Sequence, residues 1–271
     1  MPDVAYCPEC NQPVVADAES CNHCGAEVGP GLDRADIWLG LRDKLAAATS
    51  DNYEVDGLIG YGGMAGVYLA KDTRLNRYVA LKLITPAVLM DPKMVRRFRQ
   101  EAQTMAQLNH RHIVPVYDIR ESDDLLFIVM QYVPGRTLAE VVTDSRERLP
   151  PELVATWMIQ ISDALAHAHG RPTAVIHRDI KPSNIILDET GEAQLTDFGI
   201  AKVQGDAGLT RTGHLIGTPA YMSPEQCRGA VITAASDQYS LGTVASELLA
   251  GVPPFRGPTL MVLPAPSGEE P

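Results

Sequence analysis

Two polar clusters at a fixed separation constrain this chain more than any other feature of its sequence. The first is the run HRDIKPSN at residues 177–184, and the second, DFG, begins thirteen positions after Asn184. In the first run, Asp179 can accept a hydroxyl proton and Lys181 can neutralise a transferring phosphate group. Asn184 and Asp197 offer oxygen atoms of the kind that Mg²⁺ prefers. Together these residues predict phosphoryl-transfer chemistry.

These clusters resemble the catalytic loop and the metal-binding loop of protein kinases, and further motifs of that family follow the expected order. Residues 60–68, GYGGMAGVY, lie between apolar runs and predict a strand, a glycine-rich turn and a second strand, whose backbone amides can cover phosphates. The family's third glycine position holds Ala65, and Gly66 follows it. Residues 79–82, VALK, predict a buried strand ending in Lys82, which the resemblance assigns to the α- and β-phosphates of ATP.

The acidic partner of Lys82 is expected to be Glu101. It stands beside an apolar stripe at helical spacing, formed by Met94, Val95, Phe98, Ala102, Met105 and Leu108. The alternative is that Glu101 is one more surface carboxylate on an amphipathic helix. Residues 125–130, LLFIVM, predict a continuous apolar strand. By resemblance to protein kinases, this strand runs into the hinge between the two lobes, where the backbones of Gln131 and Val133 would hydrogen-bond adenine.

The resemblance implies an α+β, two-lobed kinase fold with a small β-rich lobe and a large helical lobe. By resemblance, the residues expected to contact ATP are Gly60, Gly62, Gly63, Val67, Ala80, Lys82, Met130, Gln131, Val133 and Ile186. The expected catalytic residues are Asp179, Lys181, Lys82 and Glu101, with Asn184 and Asp197 as Mg²⁺ ligands. A helix over residues 150–170 is predicted to end in an exposed His167 and His169, and Asp237 is expected to brace the catalytic-loop backbone.

The segment between Asp197 and Glu225 lacks apolar periodicity and resembles an activation segment. Autophosphorylation of Thr210 or Thr212 is expected to order it through Arg178, although these threonines could simply solubilise a loop. Lys181 and Thr218 resemble serine/threonine kinases, and residues 217–226 are similar to bacterial kinases of the eukaryotic-like (Hanks) type. Such enzymes act in signalling by phosphorylating protein substrates.

Four cysteines near the start, Cys7, Cys10, Cys21 and Cys24, form two C-x₂-C knuckles that could surround one Zn²⁺ ion. A structural zinc ribbon is favoured over two disulfides or a redox pair, because an ATP-dependent enzyme is expected in the reducing cytoplasm. Residues 1–28 contain five carboxylates and no Lys or Arg, and the whole chain has a net charge of −11. These charges disfavour nucleic acid and favour a protein partner for the ribbon.

The predicted organisation is a zinc ribbon over 1–28, a linker with a short helix over 29–52, a kinase domain over 53–255 and a Pro/Gly-rich tail over 256–271. The short helix carries the apolar stripe Trp38, Leu41 and Leu45, which could pack on the small lobe. No apolar run is long enough to span a membrane, and no signal peptide is apparent.

Because the tail is too short and proline-rich to supply the family's last helices, we expect a C-terminally truncated kinase domain. The truncation would leave Glu225 without the arginine that pairs with it in the family.

The favoured function is transfer of the ATP γ-phosphate to serine or threonine. The alternatives are a catalytically silent nucleotide-binding module and another phosphotransferase with a kinase-like fold.

Overall fold

The structure, a computed structural model, describes residues 4–6, 13–15, 34–61, 65–84, 89, 92–122, 125–145, 148–198 and 219–255. The chain forms two compact units. The small unit comprises Pro30–Asn109 and Val114–Val133, and the large unit comprises Met1–Gly29, His110–Ile113 and Pro134–Pro271. None of the described helices is both long and apolar enough to cross a membrane.

The small unit is built on a five-stranded antiparallel sheet. Its strands lie in the order β3-β4-β5-β7-β6 and span β3 (Tyr53–Tyr61), β4 (Ala65–Asp72), β5 (Arg77–Ile84), β6 (Val116–Ser122) and β7 (Leu125–Gln131). Burial alternates residue by residue along β4, so its two faces differ in what covers them. The first six residues of β7 are all buried, as the apolar run at 125–130 predicts.

One face of this sheet is covered by α1 (Arg34–Thr49). Trp38, Leu41 and Leu45 recur at helical spacing and are buried in one apolar cluster. The sheet residues of that cluster are Tyr53, Val55, Tyr68, Ala70, Val79, Leu81, Leu83, Leu125, Phe127 and Val129. The helix is 16 residues long and belongs to the core of the small unit, so it is more than a short helix in a linker.

A second helix of the small unit, α2 (Pro92–Met105), follows the apolar stripe expected around Glu101. Phe98, Ala102 and Met105 are buried at the expected helical spacing, and Leu108 is buried just beyond the last turn. An ion pair between Arg99 and Glu121 links α2 to β6.

The large unit contains a three-stranded antiparallel sheet in the order β10-β9-β8. Its strands are β8 (Gly135–Thr137), β9 (Ile185–Asp188) and β10 (Ala193–Leu195). Gly135 has φ +156°, and a Cβ there would lie 1.9 Å from the carbonyl oxygen of Leu187. Only glycine can therefore begin β8 at this distance from β9.

Four helices belong to the described part of the large unit: α3 (Leu138–Asp144), α4 (Pro151–His169), α5 (Pro224–Cys227) and α6 (Ala234–Ala250). The long helix predicted over 150–170 is thus confirmed. The buried face of α6 is largely polar, with Ser236, Asp237, Ser240, Thr243 and Glu247 all buried. A buried polar face requires internal hydrogen-bond partners, and these partners shape the neighbouring loops.

A short antiparallel hairpin near the start of the chain belongs to the large unit. Its strands β1 (Val4–Tyr6) and β2 (Pro13–Val15) pair Val4 with Val15 and Tyr6 with Pro13. Strand β2 lies beside α3. The four cysteines assigned to zinc are outside the described residues.

Candidate active site

The loop between α4 and β9 brings Asp179, Lys181 and Asn184 together. A single 3₁₀ turn, Pro182–Asn184, folds the chain back on itself. The Asn184 side-chain amide then donates to the Asp179 backbone carbonyl at 2.8 Å and to its carboxylate at 3.1 Å. The Lys181 ammonium lies 3.3 Å from the same carboxylate. The Asp179 carboxylate is therefore fixed by two neighbours from its own loop.

The second polar cluster is held against this loop through the backbone of Thr196. The Thr196 amide donates to the carbonyl of Asn184 at 3.0 Å. The Thr196 carbonyl accepts a 3.0 Å hydrogen bond from His177 Nε2. Phe198 packs on the same histidine, with 4.5 Å between the ring centroids. Asp197, between Thr196 and Phe198, is anchored on both sides of its own position.

His177 is the buried centre of these contacts. Its side chain is completely buried, and its Nδ1 accepts from the Asp179 amide at 3.2 Å. Burial lowers the pKa of His177 and outweighs the nearby carboxylates, chiefly that of Asp237, which act to raise it. A neutral imidazole with its proton on Nε2 satisfies both contacts, since one nitrogen must donate and the other accept.

Asp237, in the first turn of α6, fixes the backbone of the catalytic loop by hydrogen bonds. Its carboxylate is 1% exposed and accepts from the amides of His177 and Arg178, each at 2.7 Å. His169 contributes a third contact at 2.8 Å. The brace that the resemblance implies for Asp237 is confirmed.

Arg178 needs this support because its backbone is left-handed, with φ 67°. That conformation costs about 1–2 kcal/mol in a residue with a Cβ atom. The Arg178 amide is bound by Asp237, and its carbonyl accepts from the Gln226 side chain at 2.8 Å. Asp197 is also left-handed, with φ 61°. Both departures lie beside the predicted catalytic residues, where sparsely populated backbone conformations commonly cluster.

In the small unit, four residues predicted to contact ATP lie on one face of the sheet. Val67 pairs with Lys82, and Ala80 pairs with Met130. Directly paired residues, and residues two apart on a strand, project to the same side. This side is opposite to the one covered by α1, because the alternate residues Val79, Leu81 and Leu83 belong to the α1 cluster.

Gln131, a predicted adenine contact at the end of β7, already uses its backbone amide within the small unit. The Gln131 amide donates to the carbonyl of Pro115 at 3.0 Å. Gln131 would therefore serve a ligand through its carbonyl oxygen. Val133 is 7% exposed. Ile186 belongs to the large unit, where it pairs with Gln194 and Thr137 in the three-stranded sheet.

Several predicted site residues cannot be placed. Gly60 pairs with Val67 on β4, but Gly62 and Gly63 are outside the described residues. The same holds for the Glu101 side chain, for Thr210 and Thr212, and for the four cysteines. The pairing of Lys82 with Glu101 and the two regulatory threonines thus stay predictions.

The expectation that His167 and His169 are exposed is wrong. His167 and His169 are half-buried, because the end of α4 packs against other parts of this unit. His169 bonds Asp237, and the ring of His167 stacks on His110 at 5.2 Å. The Glu225 carboxylate accepts from the Ser236 hydroxyl, and its lack of the family's arginine stays a prediction.

The sequence analysis missed the supporting roles of three residues: Thr196, Gln226 and His169. Thr196 acts only through its backbone, which leaves no sequence signature. Gln226 gave one usable signal, since Ser223 and Gln226 form a capping box at the start of α5. His169 contacts a residue 68 positions away, so its role needs the tertiary structure.

The donor set of the catalytic loop fits a magnesium ion. Asn184 uses its amide nitrogen internally, which leaves its side-chain oxygen for a cation, and Asp197 supplies a carboxylate. Within the described residues, no group of three or more His, Cys, Asp or Glu could hold a metal ion. An ion held by Asn184 and Asp197 would need further oxygen ligands from its phosphates and from water, which is usual for Mg²⁺.

A β-sheet unit that carries Lys82 and a helical unit that carries the 177–184 loop are the two parts that define the protein kinase class of fold. The protein kinase domain family matches residues 53–262. The chain therefore belongs to the protein kinase family.

Named relatives agree with this assignment. The serine/threonine-protein kinase PrkC of Bacillus subtilis is 46% identical over 208 residues, covering 77% of this chain and 32% of the relative. PknB of Mycobacterium leprae, also a serine/threonine-protein kinase, is 44% identical over 214 residues, covering 77% of this chain and 34% of its own. This chain thus spans about a third of the length of the curated relatives it matches.

A solved structure shows the same fold. The crystal structure of the Mycobacterium tuberculosis PknI kinase domain superimposes with a TM-score of 0.61 at 33% sequence identity. The match covers 75% of this chain and 76% of that one. The fold is therefore a protein kinase fold, with a β-sheet unit and a helical unit.

Proposed function

We propose that this chain is a serine/threonine protein kinase that transfers the γ-phosphate of ATP to hydroxyl side chains of proteins. The observation that carries the proposal is the position of the Asp179 carboxylate, held by Asn184 at 3.1 Å and flanked by Lys181 at 3.3 Å. The names of the PrkC and PknB relatives support the choice of serine and threonine as acceptors.

In the proposed reaction, Asp179 orients the acceptor hydroxyl and takes its proton. The hydroxyl oxygen forms a bond to the γ-phosphorus, the bond from that phosphorus to the β–γ bridging oxygen breaks, and ADP leaves with the electron pair. Lys181 neutralises charge on the transferring group, while Lys82, paired with Glu101, positions the phosphates of ATP. Asn184 and Asp197 would hold Mg²⁺, which offsets phosphate charge when bound.

The test is transfer of labelled γ-phosphate to a generic protein acceptor by the wild type and by Asp197→Asn. Asparagine keeps the size of the side chain and tolerates the left-handed backbone at 197. Asp144→Asn, an exposed carboxylate paired with Arg136, is the matched control. We expect transfer by the wild type and the control, and loss of transfer in Asp197→Asn. Equal transfer by Asp197→Asn, or a wild type that binds ATP without transferring phosphate, would contradict the proposal.

The proposal extends to control of activity by phosphorylation. On this view, the chain phosphorylates Thr210 or Thr212, and Arg178 pairs with the new phosphate. Phosphopeptide mapping of active protein should find one of the two threonines modified, and the Asp179→Asn variant should leave both unmodified. Active protein that carries neither modification would contradict this part of the proposal.

We further propose that Cys7, Cys10, Cys21 and Cys24 form a structural zinc ribbon that contacts a protein partner in the cytoplasm. Support comes from the β1–β2 hairpin, because pairing of Tyr6 with Pro13 brings together the ends of the segment that contains Cys7 and Cys10. Two C-x₂-C pairs are the usual ligand spacing of a structural four-cysteine zinc site.

The metal content of the purified chain tests the zinc ribbon. We expect about one zinc per chain in the wild type, as for a closed four-cysteine site. The Cys10→Ser variant should lose the metal, whereas Cys227→Ser should keep it, since Cys227 ends α5 and belongs to neither C-x₂-C pair. Zinc-free wild type, or zinc that survives Cys10→Ser, would contradict this reading.

A further inference from the structure

The ring of Trp38 lies directly on the backbone of Gly66. A Cβ atom built at Gly66 would be 2.6 Å from Trp38 Cε3 and 3.0 Å from its Cδ2 and Cζ3 atoms. Real Cβ contacts are essentially never as short as the first of these distances. The indole therefore occupies the space that any side chain at position 66 would need, and it does so in the second strand of the glycine-rich motif.

The ring is held in this position by its own neighbours. Trp38 is 2% exposed. Its backbone carbonyl accepts a 2.6 Å hydrogen bond from the Tyr68 hydroxyl, which is fully buried on the same strand as Gly66. Burial raises the pKa of Tyr68 well above its usual range, so this donor keeps its proton at any working pH. One turn further along α1, Arg42 donates to the carbonyls of Val55 and Asp56 in β3. Helix α1 is thus hydrogen-bonded to both β3 and β4, the two strands of the glycine-rich motif.

Gly66 connects this packing to the opposite face of the sheet. It pairs with Tyr61 on β3 and with Leu83 on β5. The next residue, Val67, pairs with Gly60 and Lys82 and projects to the face that carries the predicted ATP contacts. Because the peptide between residues 66 and 67 is planar and rigid, a backbone fixed at Gly66 also fixes where Val67 begins.

We propose that Trp38 is a positioning residue for ATP. By packing on Gly66, it fixes the backbone position of the glycine-rich strands, and therefore the position of the residues that face the nucleotide. Trp38 touches no reacting atom, since it lies on the other face. The inference rests on the proposed kinase function for its ligand. It assigns a role in nucleotide affinity to a helix that precedes the matched family region at 53–262.

A double-mutant cycle between Trp38 and Gly66 tests this role. In Trp38→Ala, we expect the KM for ATP to rise by roughly tenfold with kcat nearly unchanged, because misplaced positioning groups weaken binding by such factors. In Gly66→Ala, the new methyl group displaces the ring, and the KM should rise similarly. Combining the two should add nothing further, since the overlap disappears when the indole is removed.

Leu45→Ala is the matched control for simple destabilisation. Leu45 belongs to the same helix and apolar cluster and is fully buried, but the three atoms nearest to a Cβ at Gly66 all belong to Trp38 and none to Leu45. It should lower the melting temperature without raising the KM for ATP. Equal KM values for Trp38→Ala and Leu45→Ala, or independent effects of Trp38→Ala and Gly66→Ala, would overturn the inference. If Trp38→Ala fails to fold, Gly66→Ala alone decides, because an unchanged KM in that variant contradicts the proposed packing.

Direct binding of ATP, measured by calorimetry, separates this inference from the proposed function. A wild type that binds ATP without transferring phosphate contradicts the kinase proposal, while the dissociation constants of the four cycle members still decide the role of Trp38. A raised dissociation constant in both single variants, with no further rise in the double variant, supports the positioning role whatever the turnover.

Discussion

The two units of this protein hold their predicted functional residues by different means. In the large unit, hydrogen bonds from buried polar groups fix the catalytic loop, above all those accepted by Asp237 and by the backbone of Thr196. In the small unit, strand register places Val67, Ala80 and Lys82 on one face, and apolar packing of α1 stabilises the other. Hydrogen bonds are directional, whereas apolar packing constrains mainly position and volume.

This difference predicts different consequences of mutation. A substitution in the polar network of the large unit should leave a buried donor or acceptor without a partner and misorient the groups that carry out the chemistry. A substitution in the apolar packing between α1 and the sheet of the small unit should reduce stability or shift a strand. The chemical step should continue. Activity measured as kcat should therefore depend on the large unit, and nucleotide affinity on the small one.

The largest effect is expected for Asp179→Asn, which removes the carboxylate and keeps the size of the side chain. Phosphate transfer should fall by roughly a hundredfold to ten-thousandfold, the range typical for loss of a general base. ATP affinity and melting temperature should stay close to those of the wild type. A variant that keeps most of its transfer rate would show that Asp179 does not take the proton of the acceptor hydroxyl.

Next in size is Asp237→Asn. The amide nitrogen cannot accept a hydrogen bond, so one of the buried amides of His177 and Arg178 loses its partner. We expect a loss of about 2 kcal/mol in the free energy of unfolding, the usual cost of an unsatisfied buried donor. Urea unfolding measures this loss.

The pair of His110 and Asp163, whose carboxylate is exposed, gives the control for Asp237→Asn. Its His–Asp distance of 3.1 Å resembles the 2.8 Å of His169 and Asp237, but Asp163 is 66% exposed. Asp163→Asn should therefore change stability by less than about 1 kcal/mol. Equal losses in the two variants would show that burial of the carboxylate is not the decisive difference.

A smaller effect concerns pH. Because burial lowers the pKa of His177, the folded protein resists protonation of this ring. The unfolded chain binds that proton below about pH 6.5, so the stability contribution of neutral His177 is complete above this pH and is lost as the pH falls toward the lowered folded value. In NMR titration, the His177 ring should change protonation below the pH of an ordinary histidine, because burial lowers its pKa. A midpoint at or above about 6.5 would contradict the account.

The smallest expected effect is that of Ser236→Ala. Burial acts to raise the pKa of Glu225, but hydrogen bonds, first that of the Ser236 hydroxyl, outweigh it and lower the pKa. Such a carboxylate stabilises the fold above its unfolded pKa, and this contribution is lost as the pH falls through the folded value. The variant should lose about 1 kcal/mol at pH 7 and less in acid.

The control for Ser236→Ala is Ser246→Ala, on the same helix but exposed. It should change stability by less than about 0.5 kcal/mol at either pH. If the deficit of Ser236→Ala were the same at pH 7 and at pH 4, the hydroxyl would not act through the Glu225 charge.

The sequence predicted the elements that have a regular apolar pattern and the residues whose side chains carry the chemistry. The apolar run at 125–130 has no polar position and is buried throughout, so it could be recognised as a central strand. The stripe Trp38, Leu41 and Leu45 could be recognised as a packing face, and it does pack on the sheet. The contacts among Asp179, Lys181 and Asn184 followed from their closeness in one loop.

Contacts between distant residues could not be predicted in the same way. His167 and His169 were expected to be exposed because they end a helix, yet His169 bonds a residue from α6. Thr196 contributes only backbone groups, which every residue possesses. The overlap between Trp38 and Gly66 joins two positions 28 residues apart whose residue types are each common in proteins. Such contacts depend on the packed fold and appear only when it is known.

The most direct test of the contrast between the units measures kcat and the KM for ATP on Asp237→Asn and Trp38→Ala in one experiment. We predict that Asp237→Asn lowers kcat by about tenfold with little change in KM, because it misplaces the catalytic loop. Trp38→Ala should instead raise KM with little change in kcat. If both variants changed the same parameter, kcat would not depend on the large unit and nucleotide affinity on the small unit. The account would then be contradicted.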